Sequence, residues 1–387
     1  MQAIIEVKDL QQAVKQAGKV AGKRSSMPIL EAVRLDVGAD GLTVSATNLE
    51  AWSRAAVECV TETDAGPSSV IVSASLLGKL TAKLPAGEVL LGAAGGVLTI
   101  GGAVIPTMEL ADYPETPQAA AAVLVGVFPG AMFKDLTKRL KAASMKGAMR
   151  VGSKSSGYST RLHLFGVNAI YGPGRVSFAA TDGHRLLLEE FATDCTESGQ
   201  VLVSAGELAR IATLIQAADV VTVEAIAGDP ARLVVSFAAA RYTLRGIREE
   251  FPDFERVIPK AHAVEFTVSR KSLLAAVRRG LIVANPDSEA VTLAPEEESS
   301  ALRMSSGCRD LGTYSESVRL EDTVSNPCEP VSFNGSYIED VLKLGKSLSV
   351  RVSLGAPLQA ALFCTDSDSV PGRTRQAWVL MPVNLTQ

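Results

Sequence analysis

The chain has 387 residues and a mass of 40.5 kDa, and 38 Lys and Arg against 42 Asp and Glu give a formal net charge of −4. With 47% hydrophobic and 21% charged residues, it is too apolar to be disordered throughout, and at ~150 residues per domain it has the length for two or three. The charge balance excludes a uniformly basic surface. It leaves open where the charges sit.

In chain order, a short strand at AIIEV leads into a helix over 8–24. There Leu10, Ala13, Val14, Ala17, Val20 and Ala21 share one face. Three strands follow, at AVRLDV, after the GADG turn, and through GLTVSATNLEAWSRAAVE. The order recurs from Leu124–Phe128 through a helix over 131–150 to RVSFAATDGHRLLLEEFA, and again from AVEFTV through a helix over 269–280 to ALRMSSGCRDLGTYSESVRL. Thr47, Thr181 and Ser306 hold matching places.

A second half-unit follows each first one. SSVIVSASLLGKLTAKL, GQVLVSAGELARIATLI and EPVSFNGSYIEDVLKLG each read as strand, turn and helix, over 75–84, 206–216 and 335–347. Ser73, Ser204 and Asn334 stand at the N-cap places. Val89–Met108 is free of charge, but Gly95-Gly96 and Gly101-Gly102 cut it into hairpin strands, so no membrane span is expected. The repeats predict an α+β chain of three similar domains, 1–118, 119–260 and 261–387. Each is built from two strand–helix–strand–strand–strand halves.

Charge follows the elements. The six predicted helices hold 20 Lys and Arg against five Asp and Glu, so the remainder of the chain is strongly acidic. Propensity alone would bring Glu as well as Lys into helices, and Glu is scarce here. Helices sharing one side of the molecule would form a positive surface for a polyanion. Almost no aromatic, Asn or Gln side chains accompany these cations. That pattern points to phosphate-backbone contact that ignores base sequence. Arg24, Lys138, Lys141, Lys146, Arg150, Arg278 and Arg279 are the candidate contacts.

Motifs for catalysis are thin. Asp182 and His184 in TDGHRLLL are two residues apart, but His163 and His262 stand alone and no GxSxG is present. Asp-Gly between two strands is a turn signal, so a structural or binding use is favoured over an enzymatic one. LGKS at 344–347 lacks the first glycine of a phosphate loop, because position 340 is Asp. The five cysteines are scattered without a CxxC pair. No metal or cofactor site is expected, and reduced thiols in a cytoplasmic protein are. MQAIIEVKDLQQ shows no secretory signal pattern.

SSMPILEAVRL, ATDGHRL, EFPDFERVIPK, FNGSYIEDVL and VLMPVNL, in this order and in register with the triplication, resemble the bacterial DNA polymerase III beta subunit, the sliding clamp family. The resemblance runs over essentially the whole chain. It implies the DNA clamp fold: a head-to-tail homodimeric ring, helices inside and sheets outside, with no chemistry of its own. It implies double-stranded DNA, a replicative polymerase, a clamp loader and other clamp-binding-motif proteins as partners, with no membrane. It also implies a pocket for short hydrophobic peptides, carried by motif onto Thr181, Gly183, His184, Arg185, Leu186, Pro252, Arg256, Val257, Val379, Met381, Pro382 and Val383. Asn334, Tyr337 and Leu358 are placed at its rim. Thr160 stands where the family usually has a bulky apolar lining residue, and Asn384 replaces a usual basic one. Ile105 on an edge strand and Leu281 with Ile282 are the expected dimer contacts. A divergent accessory clamp with a partner-binding or regulatory role is the alternative to a replication clamp.

Overall fold

The computed structural model describes residues 2–22, 25–61, 68–115, 121–146, 161–296, 299–324, 328–365, 370 and 372–384. Arg24, Arg150, Thr160 and the boundary at Gln118 lie outside the described residues. Six α-helices occur among the described residues: α1 (Val7–Gly18), α2 (Ala74–Thr81), α3 (Gly130–Ala143), α4 (Ala205–Ala212), α5 (Arg270–Val283) and α6 (Gly335–Leu344). Apart from the two-residue strand Val60–Thr61, each is preceded by one strand and followed by three, so the strand–helix–strand–strand–strand order is realised six times. None of these helices is long and apolar enough to cross a membrane.

Most helices end sooner than their sequence pattern predicts. α1 stops at Gly18, and the Gly22 amide then donates to the Leu30 carbonyl at 2.7 Å. α3 stops at Ala143, and the Met145 amide donates to the Leu164 carbonyl at 2.8 Å. In both places a tertiary hydrogen bond takes the chain off the helix axis, although Lys and Arg would favour continuing. α5 runs the other way and absorbs Leu281 and Ile282. As formed, the helices hold 13 Lys and Arg against five Asp and Glu. The basic excess persists, and several lysines sit just past helix ends.

The N-caps at Ser73 and Asn334 form as the sequence indicates. The Ser73 hydroxyl accepts the Leu76 amide, and the Asn334 side-chain oxygen accepts the Tyr337 amide at 3.2 Å. Ser269 caps α5 in the same way. The glycine pairs also act as predicted. Gly95, Gly96, Gly101 and Gly102 all have positive φ, turning the strands Glu88–Ala94, Val97–Ile100 and Ala103–Pro106 into hairpins.

The chain divides into two compact units, one of residues 1–134 and 206–248, the other of residues 135–205 and 249–387. The first holds a five-stranded and an eight-stranded antiparallel sheet. In the larger sheet, Ala240–Arg245 pairs with Ala51–Val57, so strands from the first and middle thirds of the chain form one surface. The apolar stripe Val7, Leu10, Ala13, Val14 and Ala17 of α1 is buried against that sheet. The Ser53 hydroxyl donates to the Ala17 carbonyl at 3.0 Å, satisfying a helix-terminal carbonyl.

The second unit is built on one twelve-stranded sheet. Its joint is the antiparallel pairing of Arg185–Ala192 with Arg373–Leu380, in which Leu186 faces Val379 and Leu188 faces Ala377. Phe266, Leu273, Val277, Phe333, Ile338, Phe363 and Trp378 fill its core. An ionic cluster is buried at the joint. Glu189, fully buried, accepts from Arg139 of α3 at 2.5 and 2.9 Å and from Arg373 at 3.4 Å. Arg139 is one of the helix cations, yet its side chain is only 3% exposed. It balances a buried carboxylate and presents no charge to solvent.

Candidate functional site

The TDGHRL segment forms the turn between the strands Arg175–Thr181 and Arg185–Ala192. Gly183 has φ +91°, the left-handed geometry this turn requires. The Thr181 hydroxyl donates to the Arg185 carbonyl at 2.6 Å and accepts the Gly183 amide at 3.0 Å. Asp182 accepts the amides of His184 and Arg185 through one oxygen, both at 3.0 Å, and Arg185 Nε through the other, also at 3.0 Å. Both oxygens of Asp182 are therefore committed to the turn and to Arg185. The His184 ring instead stacks at 6.5 Å on Tyr337. These contacts do not form an acid–base pair.

Arg185 is nearly fully buried and held on three sides. Beyond Asp182, its other nitrogen donates to Asp340 of α6 at 2.8 Å, and its guanidinium carbon lies 4.4 Å from the centre of the Tyr337 ring. Two carboxylates and an aromatic face make this buried cation tolerable. Burial, with the nearby Asp182 charge adding to it, pushes the Tyr337 hydroxyl above its ordinary range.

Next to this turn lies a cleft of about 260 Å³. Its floor comes from Leu186 and Val379, which belong to a core cluster with Ala179, Leu188, Ile258 and Ala377. One wall is Pro252, Asp253, Phe254 and Val257; Met381, Thr181, Gly183 and Arg185 close another side. Met381 is held in place because its amide donates to the His184 carbonyl at 2.9 Å. The remaining wall is Arg161, His163 and Leu164, beginning the short 3-10 turn Leu162–Phe165. Apolar walls with a few fixed polar groups are what a small cleft needs to bind apolar side chains in one orientation.

Of the expected residues, the structure brings together Thr181, Gly183, Arg185, Leu186, Pro252, Val257, Val379 and Met381 around this cleft. Several other expected residues do not line the cleft. Arg256 is 85% exposed and pairs with Asp253 at 2.8 Å. Asn334 is spent on its cap and on the Ser288 carbonyl. Tyr337 carries Arg185 and His184. Leu358 is 66% exposed. Pro382 bridges to Phe333, and the Val383 amide donates to the Ser332 carbonyl. Arg161, His163, Leu164, Asp253 and Phe254 line the cleft without having been expected there. Leu164 gives the cleft a bulky apolar wall residue, and its signal is the Leu-His-Leu-Phe run that opens the next strand.

The expected cationic residues have mixed surroundings. Lys146 is exposed, and Lys138 is 59% exposed beside Asp135 at 3.5 Å. Lys141 is half-buried, which lowers its pKa. Arg278 pairs with Glu339 at 2.9 Å, and Arg279 with Glu316 and the Tyr314 hydroxyl. Hydrogen bonds from Tyr314 and then Arg279 hold the Glu316 carboxyl below its usual range. Lys8, Lys15, Lys79, Lys271 and Lys343, none of them singled out from sequence, are exposed on their helices.

Of the apolar contact candidates, Ile282 is 75% exposed and Leu281 partly so. Ile105 does lie on an edge strand, but its side chain is 3% exposed and belongs to the core. The outward residue of that strand is Val104, at 65%. Strand alternation puts neighbours on opposite faces, and the inward place fell to Ile105.

Two family models match: the DNA polymerase III beta subunit N-terminal domain over residues 1–117 and its C-terminal domain over residues 255–372. Together they take in well over half of the chain. The beta sliding clamp of Synechococcus elongatus is 24% identical, with all of both chains covered. Among solved structures, the sliding clamp of Bacillus subtilis aligns with a TM-score of 0.83 at 21% identity over 99% of both chains. The clamp of Pseudomonas aeruginosa bound to griselimycin aligns with a TM-score of 0.83 at 22% identity over the full length of both.

Proposed function

The chain belongs to the DNA polymerase III beta subunit family, with the DNA clamp fold, and on that premise we propose that it is a sliding clamp, a polymerase processivity factor that encircles duplex DNA. The observation that carries this reading is the sixfold strand–helix–strand–strand–strand repetition together with the basic excess of α1, α2, α3 and α5, which hold 11 Lys and Arg against two Asp and Glu. In a closed dimeric ring with its helices inward, those cations would meet phosphates without reading bases. Lys138 and Lys146 are the best placed of the expected contacts, and Lys8, Lys15 and Lys271 join them. Arg278 and Arg279 would first have to leave their carboxylate partners. Three domains per protomer, 1–118, 119–260 and 261–387, remain our division by repeat.

Processivity here needs no chemistry, only topology and a docking place. We assign docking to the cleft between Leu164, Leu186, Phe254, Val257, Val379 and Met381. Its size suits one or two Leu or Phe side chains of an extended peptide from a polymerase, a clamp loader or another partner. Ile282 and Val104 are the apolar groups we propose for head-to-tail closure. We place the protein where the DNA is, in the cytoplasm.

The test is retention on circular DNA. Protein loaded by a clamp loader should stay on a closed circle in high salt and be released when the circle is cut. Equal release from circle and line would show attachment by charge alone and refute encirclement.

A further inference from the structure

We propose that His163, braced by Glu249, is a specificity-determining residue of the cleft, favouring a peptide with a carboxylate beside its apolar anchors and favouring it more as the pH falls. This rests on reading the cleft as a peptide site.

One carboxylate oxygen sets the ring. Glu249 Oε2 accepts the backbone N–H of His163 at 2.9 Å and lies 3.0 Å from its Nδ1. A carboxylate only accepts, so Nδ1 carries the proton. In the neutral ring Nε2 is then a lone pair, which accepts an amide N–H from a ligand and repels a carboxylate. Gaining a proton turns Nε2 into a charged donor, and a carboxylate becomes its best partner. The bond to Glu249 holds in both states. Protonation therefore changes what the ring recognises and leaves it in the same place.

The surroundings leave this role to His163. Arg161 lies on the same turn and adds positive charge at the wall. Arg185 faces the cleft, but its guanidinium is bound by Asp182 and Asp340. Asp253, the acidic group of the opposite wall, is paired with Arg256. Among the described residues, no contact engages His163 Nε2. At 20% side-chain exposure, the ring is screened less than a surface histidine.

The experiment uses the full-length protein and two fluorescently labelled peptides with the same Leu and Phe anchors, one with Asp beside them and one with Asn. Affinities are measured by anisotropy from pH 8.0 to pH 5.5, a window in which the peptide Asp stays ionised. We expect the Asp-to-Asn affinity ratio to rise about five- to tenfold on acidification, the size of one charge-assisted hydrogen bond. In His163→Gln the ratio should be flat. In Glu249→Gln, whose ring is less firmly fixed, the rise should shrink. The wild-type comparison needs no variant to fold. A ratio that does not change with pH, or one that changes equally in His163→Gln, overturns this role while leaving the cleft standing. Binding of neither peptide at any pH overturns the cleft reading and this role with it.

Discussion

Arg139 and Lys138 are neighbours on α3, and the structure gives them opposite duties. Arg139 is buried and donates to Glu189 through Nε and Nη2, whereas Lys138 is 59% exposed and 3.5 Å from Asp135. Arg139→Ala leaves the fully buried Glu189 with Arg373 at 3.4 Å as its main cationic partner. Removing one member of such a pair costs about 3 kcal/mol, at the lower end of the range because Arg373 remains. Lys138→Ala should change stability by no more than about 0.5 kcal/mol, because its ion pair is solvent-screened. The DNA readout should be reversed. Lys138→Ala should flatten the plot of log affinity against log salt by about 0.9 for each phosphate it no longer neutralises, and Arg139→Ala should leave that slope alone. Urea unfolding followed by circular dichroism gives the first quantity, and a salt titration on duplex DNA gives the second. A lower DNA slope in Arg139→Ala with no loss of stability would refute the assignment of the buried cluster.

Val257 is 48% exposed in the cleft wall, so Val257→Glu should fold normally. It should weaken anchor-peptide binding at least about tenfold, because a carboxylate must be desolvated against apolar side chains; unchanged affinity in a calorimetric titration would move the peptide elsewhere. Burial raises the pKa of the Tyr242 hydroxyl above its ordinary range. The protonated form is thus favoured in the folded chain, and stability present below about pH 10 should fall as the unfolded chain ionises above it. Tyr242→Phe should blunt that alkaline loss, measured as the unfolding midpoint at about pH 9 and about pH 11, on either side of the ordinary tyrosine pKa. An identical decline in the variant would count against the buried hydroxyl as its source.

Much of the fold was legible because local rules and tertiary demands agree. Ser73 and Asn334 stand before apolar-periodic runs and cap helices there. Gly95-Gly96 and Gly101-Gly102 separate short strands and turn them. Helix ends were less legible, because Lys19 and Lys146 are good helix formers and the bonds that end their helices come from Leu30 and Leu164, 8 residues beyond Gly22 and 19 beyond Met145. The inward turn of Arg139 carries no local mark, since its partner Glu189 is 50 residues away. At the cleft, TDGHRL and the FPDFERV segment were readable as motifs. The Arg161–Leu164 wall was not, because its place is fixed by Glu249, 86 residues on. The four-residue strand holding Val104 and Ile105 is too short for alternation to say which face is covered.

The pairing of Ala240–Arg245 with Ala51–Val57, and of Arg185–Ala192 with Arg373–Leu380, separates two histories in one chain. The sequence pattern repeats in thirds, but the sheets do not respect them. Each half of the central copy gives strands to both larger sheets, so excising it at the repeat boundaries would expose two long strand edges at once. Such a fragment would be one repeat of the sequence and not one unit of the strand pairing. A cut within the central copy, between its halves, would spare neither sheet, because it would part Ala122–Pro129 from Val220–Ile226 and Gly166–Gly172 from Gly199–Ser204.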